Sequence, residues 1–495
     1  MALSAIATLS RHPFCSTTTS SSSSFTHITR LFITGHTPTQ RHQYCKRMAS
    51  SSQPPSPTSE AAKEKLTAPY GSWTSPITAN VISGAEKSLG GSAVDPHGRL
   101  FWLESRPAES GRSVLVKGPD KAGDEPTDIT PKEFAVRTVT QEYGGGAFTI
   151  SGDTVIFSNY KDQRLYKQPI ERKDSTPVPL TPDYGGPLVS YADGVFDTRF
   201  SRYVTVREDR RESSLNPATT IVSIDLDNES IQEPKVLVCG SDFYAFPHLD
   251  AKGKRIAWIE WNHPNMPWDR SELWVGDIHK RICVAGGDLR LVESPTEPKW
   301  SSQGELFFIT DRTSGFWNLH KWIESRNDVL PVYSLDAEFA RPLWVFGMNS
   351  YEVTLSNEQK NLIFRKTYGQ NGSSYLGVLD DAKSTLSILD VPFTDIINFT
   401  SGLQCLYVEG ASAVHPLSIA KVTFNDEKSK AVDFQIMWSS SPSSSNYKSY
   451  FSKPELIEFP TEVPGQSAYA YYYPPMSPIY QASQEEKPPL LLKSH

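Results

Sequence analysis

The feature that most constrains this fold is a pair of strand-like runs that recurs along the chain. Its clearest copy lies in residues 246–278, where IAWIEW and ELWVGDI flank a loop with two prolines. Aromatic and β-branched residues are typical of strands, and proline cannot continue a ladder. The first run recurs around seven apolar or aromatic residues, namely Trp102, Phe157, Val206, Trp258, Phe308, Phe364 and Tyr407.

The spacing of these copies predicts a propeller. Successive copies lie about 50 residues apart, which is in the range of propeller blades. Two clear strands in such a unit leave room for two more, so each unit is expected to be a four-stranded sheet. The sequence therefore predicts an all-β fold, a seven-bladed β-propeller over residues 66–450. A pair of β-sandwiches is the main alternative, but it would not produce a regular period.

Composition and charge exclude several classes of protein. The chain has 495 residues, of which 38% are hydrophobic and 21% charged, and its formal net charge is -7. An acidic chain lacks the basic face that binds phosphate backbones, so we expect no nucleic-acid partner. No apolar run approaches the roughly 20 residues of a membrane span, so we expect no membrane partner.

The cysteines predict no special chemistry. Five are scattered through the chain without a CxxC pair, which indicates neither a disulfide framework nor a zinc site. We expect free buried thiols in a reducing compartment, with no metal and no cofactor. The five are Cys15, Cys45, Cys239, Cys283 and Cys405.

Residues 1–65 differ in composition from the rest. No Asp or Glu precedes Glu60, whereas Arg11, Arg30 and Arg41 are interspersed with Ser and Thr. Such a segment is typical of an organellar transit peptide, and we favour a chloroplast address over a mitochondrial one or a merely disordered tail. Met48 provides a second start, from which a cytoplasmic form would arise.

A search for catalytic motifs finds two segments to weigh. Ser92 lies in GGSAV, which begins like a nucleophile elbow but ends in Val, so we interpret it as structural. Residues 142–146 (EYGGG) lead into a strand and not into the helix that a phosphate site needs. Their glycines are expected to allow close backbone packing, with a loop facing a central cavity as the alternative.

Several polar residues in the repeats are interpreted structurally. His248 and His263 each lie beside a proline, and a histidine in such a loop is more often hydrogen-bonded structure than catalyst. Four further residues lie in turns next to strands, where such side chains usually cap turns or form pairs. They are Asp269, Arg270, Asp311 and Arg312.

The character of the chain changes after the seventh unit. Residues 438–450 are of low complexity and predict a loop or linker. Residues 454–459 and 467–473 predict a strand pair, and residues 487–495 contain a continuous apolar run that predicts a strand covered on both faces. One such strand cannot make a sheet. We therefore expect residues 451–495 to be the first strands of an incomplete α/β domain.

Several segments resemble the prolyl oligopeptidase family of serine peptidases, in its acylaminoacyl-peptidase or dipeptidyl-peptidase-like branch. They are YGSWTSPIT (70–78), EYGGGAF (142–148), EWNHPNMPWD (260–269), ELW (272–274), DRTSGFWNL (311–319) and WVFG (344–347). The family places a seven-bladed propeller before an α/β-hydrolase domain. The resemblance implies that His495 is the first residue of the loop that helps to form the oxyanion hole.

The resemblance also implies which part of the full-length protein is catalytic and which part selects its substrates. The family's Ser, Asp and His triad lies beyond the position that matches His495, so no triad residue can be assigned here. The resemblance implies short peptides as substrates of the full-length form, with the propeller as a steric filter that is non-catalytic alone. A stand-alone propeller that acts as an interaction scaffold is the alternative, as is an enzyme with a site in its own channel.

Overall fold

The computed structural model describes residues 64–493, apart from 84–86, 120–123, 173–174, 229, 278–279, 357–358, 368–371, 381–384 and 426–430. Strands dominate this part, with one short helix α1 (Ala79–Ser83) and 3-10 turns at Pro107–Glu109, Glu324–Arg326 and Pro442–Tyr450. In chain order the strands are β1 (Leu66–Thr67), β2 (Ser88–Val94), β3 (Leu100–Arg106), β4 (Arg112–Lys117), β5 (Thr127–Asp128), β6 (Phe148–Ser151), β7 (Thr154–Ser158), β8 (Leu165–Pro169), β9 (Val178–Pro179), β10 (Val189–Asp197), β11 (Arg202–Asp209), β12 (Ala218–Asp225), β13 (Lys235–Val238), β14 (Phe243–Leu249), β15 (Ile256–Trp261), β16 (Glu272–Gly276), β17 (Arg281–Ala285), β18 (Thr296–Trp300), β19 (Leu306–Thr310), β20 (Asn318–Ile323), β21 (Asp328–Tyr333), β22 (Tyr351–Ser356), β23 (Gln359–Thr367), β24 (Ser374–Asp380), β25 (Thr385–Leu389), β26 (Asp395–Ser401), β27 (Cys405–Ser412), β28 (His415–Phe424), β29 (Ala431–Ser439), β30 (Glu455–Pro460), β31 (Ser467–Tyr472) and β32 (Tyr480–Gln481).

Strands β2 to β29 form seven four-stranded antiparallel sheets, each from four consecutive strands. The seven repeat residues from Trp102 to Tyr407 all lie in the second strand of their sheet. In the sheet β22–β25, the structure describes the backbone of β23 but not most of its side chains. The prediction of an all-β, propeller-like chain is confirmed.

The second strand of each sheet is apolar because both of its faces are covered. All five residues of β19 are buried. Phe308 packs in a cluster with Trp258 of the preceding sheet, whereas Phe307 packs with Tyr351 of the following one. Each buried Phe contributes about 1.5–3 kcal/mol, so the sheets are held together chiefly through these strands.

The first strands lie against one another around a central axis. Contacts run from β2 to β6, β10, β14 and β18, and from β22 through β26 back to β2. Between β18 and β22, Tyr351 Oη donates to the Glu297 carbonyl over 2.8 Å. The first and last sheets therefore meet, and the ring is closed.

We call the boundary between the sheets β2–β5 and β26–β29 the seam. There the Glu104 carboxylate is 2% exposed and accepts hydrogen bonds from the Trp438 indole at 2.8 Å and the Lys87 ammonium at 2.8 Å. Ser92 Oγ donates to Glu409 Oε1 over 2.5 Å. Trp438 was predicted to lie in a linker, which is wrong, because its buried ring belongs to β29 and packs in the seam.

The strand pair predicted after the ring is confirmed as the hairpin of β30 and β31, in which Glu455 pairs with Tyr472. All residues of β30 are exposed. The strand predicted in residues 487–495 is wrong for the part that is described. Leu490, Leu491 and Leu492 are 73%, 93% and 82% exposed, and no described strand pairs with them. An apolar strand needs a ladder and cover on both faces, and the described residues supply neither.

The described chain divides into two compact units, residues 64–72 with 479–493 and residues 73–478. In the smaller unit, β1 pairs in parallel with β32, and the Tyr70 amide donates to Glu486 Oε1 over 2.8 Å. Among the described helices, none has the length and apolarity needed to cross a membrane. The described cysteines are free, but the prediction of burial holds only for Cys405, since Cys239 is exposed.

Candidate functional site

Three loops emerge on one face of the ring. In a four-stranded antiparallel sheet, the start of the first strand, the end of the second and the start of the third lie on the same face. We call residues 139–147 before β6 the glycine loop, residues 262–271 between β15 and β16 the proline loop, and residues 334–350 before β22 the crossing loop. All three therefore share this face.

The crossing loop lies across the axis of the ring. The Phe346 amide donates to the Gly144 carbonyl over 2.8 Å, and Gly145 and Phe346 form a parallel bridge. On other sides of the ring, the Ser350 amide donates to Glu297 Oε2 over 2.7 Å, and Asn398 Nδ2 donates to the Gly347 carbonyl over 3.3 Å. These partners belong to separate sheets, so the loop spans the centre.

The glycine loop has an unusual backbone. Gln141 and Glu142 have φ of 52° and 67°, and the three glycines that follow Tyr143 also have positive φ. A Cβ on Gly145 would overlap the Phe346 carbonyl oxygen. The interpretation that these glycines allow close backbone packing is confirmed, because the two loops could not otherwise pair.

Two acidic residues on the first strands hold the loops. Asp193 and Glu297 lie at bulges of β10 and β18 with φ of 55° and 49°. The Phe246 amide donates to Asp193 Oδ2 over 2.6 Å, and the Gly347 amide also donates to this carboxyl group. Burial, together with the smaller effect of the Glu297 charge, raises the pKa of Asp193 to about 6 despite these two hydrogen bonds.

Asp193 and Glu297 were missed by sequence reasoning. Their signal is a residue followed by Gly or Pro at the same place in three successive repeats. Asp193-Gly, Phe246-Pro and Glu297-Pro lie one repeat apart, and the first residue of each pair has a positive φ at a bulge. A bulge re-aims a side chain toward a site, so such a repeat could have indicated the axial positions.

Three aromatic rings, of which two are exposed and Trp268 is half-buried, join the three loops. The Tyr143 and Trp344 rings meet edge to face with centroids 5.8 Å apart, and the Trp268 and Trp344 centroids are 4.5 Å apart. Tyr143 is 64% and Trp344 52% exposed. We call these three rings the aromatic patch. It is a surface on which a planar or apolar group could stack.

The two histidines that the sequence singled out have structural contacts. His248 Nδ1 lies 2.5 Å from the Pro298 carbonyl oxygen, and burial lowers the pKa of His248 to about 4, so the ring is neutral and donates. His263 is exposed, and its Nδ1 lies 3.0 Å from Asp242 Oδ2. The interpretation of both as hydrogen-bonded structure is confirmed.

The other polar side chains that the sequence indicated form hydrogen bonds or an ion pair in turns next to strands. Asp269 Oδ2 accepts from the Met266 amide over 3.1 Å, and the Arg270 guanidinium donates to the Gly286 carbonyl over 3.4 Å. Asp311 Oδ1 accepts from the Ser294 amide over 2.8 Å. Arg312 Nε lies 3.4 Å from Glu293 Oε2. Ser92 is structural as predicted, since it bonds Glu409 in the seam.

One hydroxyl and histidine are in contact, but not as a catalytic pair. Thr313 Oγ1 lies 2.9 Å from His320 Nε2, while His320 Nδ1 lies 2.9 Å from the Asn318 carbonyl. In a catalytic triad a carboxylate occupies the second position and stabilises the imidazolium. A carbonyl of the same strand fixes the ring instead, and burial lowers the pKa of His320. His495, to which the oxyanion loop was assigned, lies outside the described residues.

Comparison with solved structures finds peptidases. A puromycin-hydrolysing peptidase of Mycobacterium tuberculosis is 29% identical with a TM-score of 0.75, and the match covers 86% of this chain and 64% of that one. A puromycin hydrolase is 26% identical with a TM-score of 0.74 and the same coverage. No protein-family model and no curated protein matches the chain.

A more distant match shares the fold alone. Prolyl oligopeptidase B from Galerina marginata is 10% identical with a TM-score of 0.56, over 78% of this chain and 55% of that one. The ring of sheets and its axial loops thus define a β-propeller of the kind that peptidases carry. The resemblance to prolyl-oligopeptidase-family serine peptidases, predicted from the sequence, is confirmed. The chain spans less than two thirds of the length of the peptidases it matches at 26–29% identity.

Proposed function

We propose that this chain is the propeller portion of a prolyl-oligopeptidase-family serine peptidase that hydrolyses short peptides. The seven sheets are its blades, and residues 451–495 are the first strands of its α/β-hydrolase domain. The observation that carries the proposal is the similarity to two puromycin-hydrolysing enzymes over 86% of this chain and 64% of theirs. The exposed apolar residues of the β30–β31 hairpin fit this role, because an uncovered hairpin needs a packing partner.

The propeller acts in this proposal as a steric filter and not as a catalyst. The crossing loop supports this role, since it lies across the axis and is tied to four sheets through Gly145, Asp193, Glu297 and Asn398. A loop held across the axis narrows the path that a substrate could take through the ring. A folded protein or a long polypeptide such as casein is too bulky for such a path, whereas a short peptide is not.

The proposal predicts that the chain alone is inactive and that a hydrolase domain joined to it gives a size-selective enzyme. The purified 495-residue chain should hydrolyse neither aminoacyl nor dipeptidyl fluorogenic substrates, and a fluorophosphonate probe should not label it. Joined ahead of the hydrolase portion of the M. tuberculosis peptidase, residues 64–493 should give an enzyme that cleaves short peptides and leaves casein intact. Circular dichroism and gel filtration establish that the chimera is folded.

Two results would count against this function. One is turnover by the chain alone. The other is a folded, active chimera that cleaves casein as fast as a short peptide. An antibody against the propeller gives a second measurement, because in extracts of the source it should capture a probe-labelled species longer than 495 residues. Capture of an unlabelled 495-residue species alone would favour the interaction scaffold.

We further propose that residues 1–65 direct the protein to chloroplasts. The support is the acid-free, Arg- and Ser-rich composition before Glu60. Fused to a fluorescent protein in plant cells, residues 1–65 should carry it into plastids, whereas a fusion that begins at Met48 should stay in the cytoplasm. Mitochondrial fluorescence from the longer fusion would refute the plastid address.

A further inference from the structure

We propose that a cavity between the first two sheets of the ring binds a small α-amino acid with an apolar side chain. The cavity lies between the sheets β2–β5 and β6–β9, at the ends of β4 and β8, and therefore on the face opposite the crossing loop. Its volume is about 180 Å³. A cavity of roughly 150 Å³ can hold benzene, so a small amino acid has room here. The inference goes beyond the proposed function, because it concerns a second site with no part in hydrolysis.

A buried amide is the first observation. Gln168 of β8 is 2% exposed, and its Nε2 donates to the Ile129 carbonyl over 2.8 Å, which connects the two sheets. Its Oε1 is buried as well and has no hydrogen-bond partner in the part of the chain that the structure describes. Buried amide oxygens are rarely left unpaired. An unpaired one on a residue that lines a cavity therefore indicates a bound molecule that donates a hydrogen bond.

Two cationic side chains of the lining are the second observation. Lys117 ends β4 and is only 9% exposed, and its ammonium group lies 3.5 Å from Glu171 Oε1. Arg172 also lines the cavity and is exposed. A buried ammonium group and a guanidinium group in one cavity are suited to bind a carboxylate.

The carboxylates of the lining do not cancel this positive charge. Glu171 Oε1 also accepts from the Arg99 guanidinium, and both oxygens of Asp128 accept from the Arg106 guanidinium at 2.6 Å. These two arginines lie outside the lining. Counted with them, four cationic groups face two carboxylates, so the cavity has an excess of positive charge that favours an acidic group of a ligand.

An apolar part completes the lining and decides between ligands. Ile129 and Ile170 are buried and belong to the same cavity. The carboxylate of an amino acid would pair with Lys117, its ammonium group with Gln168 Oε1 and the Glu171 carboxylate, and its side chain would contact the two isoleucines. A simple inorganic anion would use the cations alone and leave the Gln168 oxygen and the apolar part without a partner.

Isothermal titration calorimetry of the 495-residue chain tests the inference with leucine as the probe. Three ligands each lack one feature: leucinamide lacks the carboxylate, 4-methylpentanoate lacks the ammonium group, and glycine lacks the side chain. We expect leucine to bind at least about tenfold more tightly than each of them. Lys117→Met should weaken leucine binding at least about tenfold, and Gln168→Met should remove the preference for leucine over 4-methylpentanoate. Circular dichroism establishes that both variants are folded.

Lys167→Met is the matched protein control. Lys117 pairs with Phe101 and Lys167 with Ile156, each the residue just before the repeat residue of its sheet, so the two lysines occupy equivalent positions. Lys167 lines a separate cavity between the second and third sheets, and its variant should bind leucine like the unmodified chain. Absence of binding at millimolar leucine, with water alone at Gln168, would overturn the inference. So would equal binding of leucine and the three control ligands, or binding that Lys117→Met and Gln168→Met leave unchanged.

Discussion

Replacing Glu104 by Ala is expected to lower the free energy of unfolding by about 4 kcal/mol, because the buried Trp102 and Trp438 indole N–H groups would both be left without an acceptor. Glu104 accepts more of the hydrogen bonds described in the seam than any other residue named there. Its carboxylate accepts from the Lys87 ammonium, from the Arg106 guanidinium at 2.8 Å and from the Trp102 and Trp438 indoles. The two buried indoles would lose their acceptor, whereas Lys87 is exposed and Arg106 also donates to Asp128.

The same site predicts how the seam responds to acid. Burial alone would raise the pKa of Glu104, but the hydrogen bonds from Lys87, Trp438 and Arg106 outweigh it and lower this pKa to about 2. A carboxylate whose pKa is lowered by folding stabilises the protein above its ordinary pKa. That stabilisation, about 3 kcal/mol for such a shift, is lost as the pH falls from about 4.5 to about 2.

Glu409 gives the free energy of unfolding the opposite dependence on pH, in a higher pH range. Burial raises the pKa of Glu409 to about 7, although Ser92 donates to its carboxyl group. Folding therefore favours the protonated form, and stability is lost as the pH rises from about 4.5 through about 7. The contribution of the two groups together is greatest near pH 4.5–5.

Urea unfolding of the Glu104→Ala variant and of the unmodified chain at about pH 3, 5 and 8 measures the contribution of Glu104 and its loss in acid. The loss of stability should be largest at pH 5 and 8 and should shrink at pH 3, where the unmodified chain has also lost part of the interaction. Glu109→Ala is the control, because Glu109 is an exposed partner of Arg106 in an ion pair of 3.2 Å. It should cost less than about 1 kcal/mol. Equal losses for both variants would show that Glu104 does not hold the seam.

The sequence predicts the second and third strands of the sheets well, for a physical reason. A strand covered on both faces, such as Leu306–Thr310, must be continuously apolar, and this pattern is visible without any partner. The first strands are less visible. They contain Asp193, Glu297 and the Gly90-Gly91 pair at bulges, and each bulge interrupts the alternation on which a strand prediction depends.

The candidate site is harder to predict because it depends on contacts between distant segments. Tyr143, Trp268 and Trp344 all lie in segments that the sequence singled out, but only closure of the ring brings them together. The apolar run near the C-terminus shows that a strand-like sequence does not by itself form a strand. Leu490–Leu492 have a strand-like composition, yet a run of side chains cannot specify a strand without neighbours, and these residues remain exposed.

Replacing Gly145 by Ala is expected to lower the free energy of unfolding by about 4 kcal/mol, through left-handed strain and a clash that cannot relax locally. Gly145 has φ of 89°, and a Cβ there would overlap the Phe346 backbone. Relief would require the glycine and crossing loops to separate. That movement would break the hydrogen bond from the Phe346 amide to the Gly144 carbonyl and detach the Tyr143 ring from Trp344.

Gly185→Ala separates the two causes. Gly185 has a comparable φ of 79° but open space around the Cβ position, so its variant should cost only the strain, about 1–2 kcal/mol. Urea unfolding measures both, and near-UV circular dichroism should report the altered packing of Trp344 only for Gly145→Ala. A matching loss in the two variants would mean that the pairing of the loops adds no stability. In the chimera, Gly145→Ala should also admit casein, because the loop that closes the axis would no longer be held across it.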